Sequence, residues 1–234
     1  MNKKMNLKTD LKTGLWELIK NEADAVIFDM DGTLIDSMGI WYDIDKEFLS
    51  ERKLITPSGF DAKVEGKSFH EVALLFKETF MLPETVEEIM GIWNRMAYER
   101  YAHGMQMKEG TEALLRALRQ NNKKIGIATS NSRELTECCL RDIGILSYFD
   151  TIVTANDVIY GKPCPDIYQK AAQNLGVNPA KCVVFEDTGA GVAAGRAAGM
   201  TTCLVFDRYN SHKYTDNSAI SDFSIRSFCD IIKG

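Results

Sequence analysis

Two short apolar runs each end in acidic residues. Ala25-Val26-Ile27-Phe28 leads into Asp29-Met30-Asp31-Gly32-Thr33, and Cys182-Val183-Val184-Phe185 leads into Glu186-Asp187-Thr188-Gly189. Side chains two apart in an extended backbone point the same way, so Asp29 and Asp31 can address one site. A buried strand seldom finishes in two acids unless something cationic meets them, because an unpaired buried charge is costly. Magnesium prefers oxygen ligands and keeps several waters, so a few carboxylates suffice to hold it. Asp29, Asp31 and Asp187 fit that need, and Gly32 lets backbone approach closely. The pattern suggests a metal-assisted covalent reaction.

Two further segments carry polar groups to strand ends. Thr129-Ser130-Asn131 closes the run Ile125-Gly126-Ile127-Ala128. A hydroxyl there can donate to an anionic oxygen, although Ser130, Asn131 or Ser132 serve as well to cap a helix. Lys162 stands between Gly161 and Pro163, just before Pro165-Asp166. A lone lysine is ordinarily a solvated charge, yet this proline-flanked setting is unusual for one.

These residues need a frame. Runs at 25–29, 125–129, 151–154, 182–186 and 201–206 are short, apolar and rich in β-branched residues. Such runs suit a parallel sheet covered on both faces. Helical patterns at 111–121, 132–144, 166–175 and 190–198 alternate with them. Gly110-Thr111 opens the first, Ser132 caps the second and Gly144 ends it. Pro165-Asp166 opens the third and Gly176 ends it, and Gly199 closes the fourth. The alternation predicts a doubly wound, Rossmann-like α/β core, with ligands beyond the carboxyl ends of the strands.

Roughly ninety-five residues separate the first two strands, too many for a loop. They hold helical patterns near 38–53, 68–80 and 84–103, with Phe69, Val72, Ala73 and Phe76 at helical spacing. The expectation is a small inserted α-helical cap over 38–107, on a core made of 23–37 and 108–234. Its hinges fall near 36–39 and 104–109, and it would sit above the carboxylates, exclude water and read the substrate. Residues 1–22 read as an N-terminal extension with a short amphipathic pattern at Leu11, Leu15, Leu18 and Ile19.

The chain has 234 residues, 45% hydrophobic content and a net charge of −5, enough for one large domain or a domain with an insertion. No long basic run marks a nucleic-acid binder. The N-terminal residues lack the apolar stretch of a signal peptide, and no run is long enough to span a membrane. The six cysteines form no CxxC pair and suit reduced thiols. A cytoplasmic protein, monomeric or weakly dimeric, without nucleic-acid or membrane partners is expected. His70 and His103 have no visible partner and read as solvated or structural.

Asp29-Met30-Asp31-Gly32-Thr33, Thr129-Ser130, Lys162 and Glu186-Asp187 together resemble, in order and context, the haloacid dehalogenase-like superfamily. The resemblance covers about residues 24–207, and the ordered set is far more specific than any one motif. The helical insertion resembles the cap of the branch with phosphoglycolate phosphatase and β-phosphoglucomutase. The resemblance implies that Asp29 attacks phosphorus to form an aspartyl-phosphate. Asp31 would protonate the leaving oxygen and then deprotonate water. The Asp29 and Asp187 carboxylates and the Asp31 carbonyl would hold Mg²⁺, with Glu186 behind them or reaching the metal through water. Thr129, Ser130 and Lys162 would bind the phosphoryl group of a small phosphorylated metabolite: a sugar phosphate, nucleotide or organic-acid phosphate.

Dehalogenases of the superfamily lack the second aspartate, so Asp31 speaks against that chemistry. The contest is hydrolase against phosphomutase. The resembling mutases carry a histidine soon after the first motif and a cap arginine. Trp41 stands at the histidine position, and Gly66-Lys67-Ser68-Phe69 in the arginine loop. Gly66, Lys67 and Trp41 are the candidate substrate residues of the cap, although an interhelical turn with a helix cap at Ser68 explains that loop equally well. These departures favour a phosphatase. A non-catalytic phospho-ligand sensor is the other reading.

Overall fold

The computed structural model describes residues 7–64, 69–102 and 104–232. Helix α1 (Leu7–Asn21) precedes strand β1 (Ala25–Phe28). Four helices follow: α2 (Met38–Glu51), α3 (Phe60–Val64), α4 (Phe69–Phe80) and α5 (Val86–Tyr101). The chain then alternates α6 (Thr111–Gln120), β2 (Lys124–Thr129), α7 (Arg133–Asp142), β3 (Thr151–Thr154), α8 (Asp166–Leu175), β4 (Cys182–Glu186), α9 (Gly189–Ala197) and β5 (Thr201–Val205). It ends in α10 (Tyr214–Ile220), β6 (Phe223–Ile225) and α11 (Cys229–Ile232).

The six strands form one parallel sheet in the order β3-β2-β1-β4-β5-β6. Alternate residues face opposite sides, and the core divides accordingly. Ala25 and Ile27 of β1, with Ala128, Val153 and Val184, pack against Ile167, Tyr168 and Ala171 of α8 and Ala194 of α9. Val26, Phe28, Ile127 and Phe185 face the other way, toward Leu114, Leu115 and Leu118 of α6 and Leu135, Cys139 and Leu140 of α7. Phe28 and Phe185 stack across β1 and β4 with ring centroids 5.1 Å apart. Both faces are covered, which explains the continuous apolar runs.

All five expected strands are present, and a sixth, β6, extends the edge beyond β5. Leu15 and Ile19 of α1 are fully buried in the same core as Phe28 and Phe228. Helix α1, the described part of the segment expected as an extension, lies against α11 and β6.

Between β1 and β2 the helices gather an aromatic core. Phe76 lies 4.8 Å from Trp93 and 5.0 Å from Phe60, and Phe48 lies 5.6 Å from Trp93, all edge-on. Thr85 and Glu88 form a reciprocal capping box that starts α5. The two connections between these helices and the sheet run side by side. Ile35 and Met107 form an antiparallel bridge, Asp36 N–H donates to Gln106 O at 2.9 Å and Lys108 N–H to Leu34 O at 2.8 Å.

Strand order reverses at β1. The chain steps outward through β2 and β3, then returns to β4 on the other side. The carboxyl ends of β1 and β4 meet at this switch point, where open α/β sheets bind ligands.

Candidate active site

Asp29 follows the last residue of β1 and is 7% exposed. Its N–H donates to Phe185 O of β4 at 2.9 Å, which joins the two strand ends. Lys162 reaches in from the loop before α8. Its ammonium donates to Asp29 Oδ1 at 2.6 Å, Glu186 Oε1 at 2.6 Å and Ala128 O at 3.0 Å. That uses all three of its donors. The lysine side chain is 8% exposed, so it is a buried counter-charge rather than a solvated one.

Glu186 is held on both oxygens. Oε1 also accepts from Tyr168 Oη at 3.1 Å, and Oε2 accepts from Thr188 N–H at 3.0 Å and Thr188 Oγ1 at 2.9 Å. A Cβ on Gly191 would lie 1.8 Å from this carboxyl, so the start of α9 approaches as only glycine permits. Asp187 accepts from Thr33 Oγ1 at 3.2 Å and from Asn210 Nδ2 at 2.7 Å. Gly32 has φ +76°, and a Cβ there would meet Asp187 Oδ2 at 2.4 Å. The glycine of the first motif thus serves both a left-handed turn and close contact with the second acidic pair.

Asp31 is in a different environment. Ser37 Oγ donates to its Oδ1 at 2.6 Å, Tyr101 Oη donates to the same oxygen, and Asn131 Nδ2 donates to Oδ2 at 3.2 Å. Trp41 Nε1 donates to Tyr101 Oη at 3.0 Å. Thr129 is buried at the end of β2 and accepts from Asn131 N–H at 3.1 Å.

The sheet therefore assembles Asp29, Asp31, Thr129, Lys162, Glu186 and Asp187 as neighbours. Ser130 lies exposed at the same strand end. Trp41 is half-buried on α2. Gly66, Lys67, Ser68 and His103 lie outside the described residues. Ser37, Tyr101, Tyr168 and Asn210 belong to the site without having been singled out by the sequence, and Asn131 had been read only as a helix cap.

The electrostatics call for a cation. Burial raises the Asp29 carboxyl to about 8; Lys162 pulls it down, but the Glu186 and Asp31 carboxylates reinforce the rise. Burial, then Glu186 and Asp29, hold Asp187 well above the usual carboxylate range. Burial pulls the Lys162 ammonium down, but Asp29 and Glu186 outweigh it and hold it well above its ordinary value. Asp29, Glu186 and Asp187 each offer an oxygen within 4.8 Å of the others, all buried. One ammonium cannot balance three carboxylates, and an all-oxygen set fits Mg²⁺. Among the described residues, no backbone N–H donates to the Asp31 carbonyl, which leaves it able to join that set.

A pH-dependent response to metal follows. Burial pushes the Asp29 carboxyl from its ordinary value of 3.8 up to about 8 in the folded chain, so the metal-free fold loses stability as pH rises between those values. A cation that replaces the proton reverses that loss. Millimolar Mg²⁺ is expected to raise the melting temperature more at pH 8 than at pH 6 in a thermal scan. Equal shifts at both pH values, or none, would remove the cluster as the metal site.

A parallel α/β sheet with three buried acids and a lysine at its switch point can hold a cation and an anionic group side by side. The model of the haloacid dehalogenase-like hydrolases matches residues 23–199, and the chain belongs to that family. A Bacillus subtilis protein with a phosphatase name, YhcW, is 34% identical over 190 residues, covering 77% of this chain and 82% of that protein. The fructose-1-phosphate phosphatase YqaB of Escherichia coli is 27% identical over 188 residues, covering 75% of this chain and 93% of that one. The crystal structure of CbbY from Rhodobacter sphaeroides in complex with phosphate shares the fold, with a TM-score of 0.78 at 22% identity. The likeness covers 88% of this chain and 95% of that one. Among the described residues no helix is long and apolar enough to cross a membrane.

Proposed function

We propose that this phosphoric monoester hydrolase is a Mg²⁺-dependent phosphatase that releases phosphate from a small phosphorylated metabolite through an aspartyl-phosphate on Asp29. The observation that carries the reading is the contrast between the two aspartates of the first motif. Asp29 has one oxygen on Lys162 and the other without a described hydrogen bond, as a nucleophile requires. Burial raises both carboxyls, so the contrast lies in the donors: Asp31 accepts from Ser37, Tyr101 and Asn131 on its two oxygens, as an acid that must be held in one orientation requires. Two carboxylates in environments this different divide the roles between them.

In the first step Asp29 attacks phosphorus, the bond to the leaving oxygen breaks, and Asp31 gives that oxygen its proton. In the second, Asp31 takes a proton from water as the water oxygen attacks phosphorus. Phosphate leaves and Asp29 is restored. Lys162, Thr129 and Ser130 would meet the phosphoryl oxygens, and Lys162 would offset their repulsion from Asp29. The Asp29 and Asp187 carboxylates and the Asp31 carbonyl would hold Mg²⁺, which supplies charge stabilisation at the phosphoryl group. Glu186, with both oxygens already engaged, would orient Lys162 from behind. Residues 38–107 would form the cap over this site, on a core of 23–37 and 108–234.

Trp41 and Phe69 pack edge-on at 5.5 Å. Neither ring of this pair, at the positions where resembling mutases carry histidine and arginine, grips a second phosphate; Lys67, the residue of that loop able to substitute in part, lies outside the described residues. That supports water as the final acceptor, and the relative named for fructose 1-phosphate supports a sugar-phosphate class. The test is phosphate release from p-nitrophenyl phosphate, fructose 1-phosphate and β-glucose 1-phosphate, with and without Mg²⁺. Release that requires Mg²⁺ is expected. Formation of glucose 6-phosphate would instead establish a mutase, and tight binding without turnover would establish a sensor.

A further inference from the structure

We infer that Tyr101 is a positioning residue for the acid–base step: with its hydroxyl held by Trp41, it fixes which oxygen of Asp31 exchanges the proton. The inference rests on the phosphatase reading above. Asp31 receives donors from both connections of the helical insertion, Ser37 immediately before α2 and Tyr101 at the last residue of α5. Both donors converge on Oδ1. Among the described residues Oδ2 accepts from Asn131 Nδ2 alone, at 3.2 Å. An ionised carboxylate has about four lone-pair sites, two on each oxygen. Oδ1 is therefore filled and Oδ2 keeps one site open. The open site is where a proton can pass to the leaving oxygen or from water.

The direction of the chain is fixed by chemistry. An indole N–H donates and cannot accept. Trp41 Nε1 donates to Tyr101 Oη at 3.0 Å, which leaves the phenol proton free to go to the acceptor beside it, Asp31 Oδ1. The indole is itself braced, edge-on to Phe69 at 5.5 Å and to Tyr101 at 6.2 Å. Tyr101 is fully buried, so water cannot stand in for either bond. Three helices of the insertion, α2, α4 and α5, thereby set the orientation of one carboxyl on the sheet.

A residue that orients the acid matters most where the leaving oxygen most needs a proton. The test measures kcat/KM with Mg²⁺ for phenyl phosphate, p-nitrophenyl phosphate and 2,4-dinitrophenyl phosphate, in wild type, Tyr101→Phe and Trp41→Phe. Tyr101→Phe is expected to lower kcat/KM about tenfold or more on phenyl phosphate, and less than about threefold on the dinitrophenyl ester, whose phenolate departs unaided. Trp41→Phe keeps an aromatic ring, removes the donor, and is expected to steepen the dependence in the same sense by a smaller factor. A proportionate loss across the series, or none, in folded Tyr101→Phe overturns the inference. If that variant does not fold, the slope of Trp41→Phe decides in the same way. Wild type that hydrolyses none of the three esters would overturn the phosphatase reading itself, whereas wild-type turnover with unchanged slopes overturns this inference alone.

Discussion

Asp29→Asn should end phosphoenzyme formation and, with it, turnover. Removing the nucleophile of a covalent mechanism costs on the order of a millionfold in rate where it has been measured, so activity should fall below detection. The substitution is close to isosteric, and the amide leaves Lys162 with Glu186 and Ala128 O as partners. The variant should therefore fold, and its stability gives a second readout. In wild type the cost of an ionised Asp29 is absent below pH 4 and complete above about 8. Asparagine has no such cost. Metal-free Asp29→Asn should melt only slightly above wild type at pH 5 and on the order of ten degrees above it at pH 8, since each kcal/mol moves Tm by roughly 2–4 °C in a chain of this size. Rapid-quench labelling with a ³²P-labelled ester that still marked the variant would exclude Asp29 as nucleophile.

How much of the site the sequence carries differs from residue to residue. Asp29 and Asp31 are legible because both features that place them are local: an apolar run and a spacing of two. Glu186-Asp187 is legible for the same reason, and the parallel sheet follows from strands alternating with helices. Lys162 is different. Its partners lie 133 residues before it and 24 residues after it, so nothing in its own segment shows that it is buried. Tyr101 lies 70 residues from Asp31 and reads in sequence as one more aromatic residue at the end of an amphipathic helix. Asn210 reaches Asp187 from a loop that has no periodic pattern. Strand β6 has only three residues, Phe-Ser-Ile, partly exposed, which is too short for an alternation to register. The amphipathic pattern of α1 is plain, but the surface that it covers is built by α11 and β6 at the far end of the chain.

Trp41 shows how a departure from a family pattern becomes chemistry. Its position suggests a missing histidine and a candidate contact for substrate. In the structure the indole has a task, since it turns the Tyr101 hydroxyl toward the proposed acid. The side of the insertion that faces Asp31 presents rings and hydroxyls here, with no described lysine or arginine side chain bonded to Asp31. Such a face excludes water and orients a carboxyl, and among the described residues it brings no cation to Asp31. The hydrolytic reading therefore draws on the same residues that position the acid.

Lys162→Met should have the second-largest effect, and it acts on stability and rate together. Methionine fills similar space without charge, so Asp29 and Glu186 lose their shared counter-ion while remaining buried. Breaking a buried ion pair by removing one partner costs about 3–5 kcal/mol, or on the order of ten degrees in Tm for a chain of this size. The loss should be largest at pH 8 and should shrink as pH falls, because protonation of Asp29 removes part of the uncompensated charge. Mg²⁺ should restore part of the loss at pH 8 by supplying the missing positive charge, but it should not restore turnover. Lys162 would also stabilise charge on the phosphoryl group, and removing one such preorganised donor lowers kcat by about 10²–10³. Lys162→Arg separates the two effects. A guanidinium keeps the charge but cannot reproduce three divergent donors from one atom, so it should recover stability more than rate. Thermal scans at pH 5 and 8, with and without Mg²⁺, beside kcat on p-nitrophenyl phosphate, make the comparison. A Lys162→Met protein that melts like wild type at pH 8 would show that the lysine does not balance the cluster, and unchanged kcat would show that it does not meet the phosphoryl group.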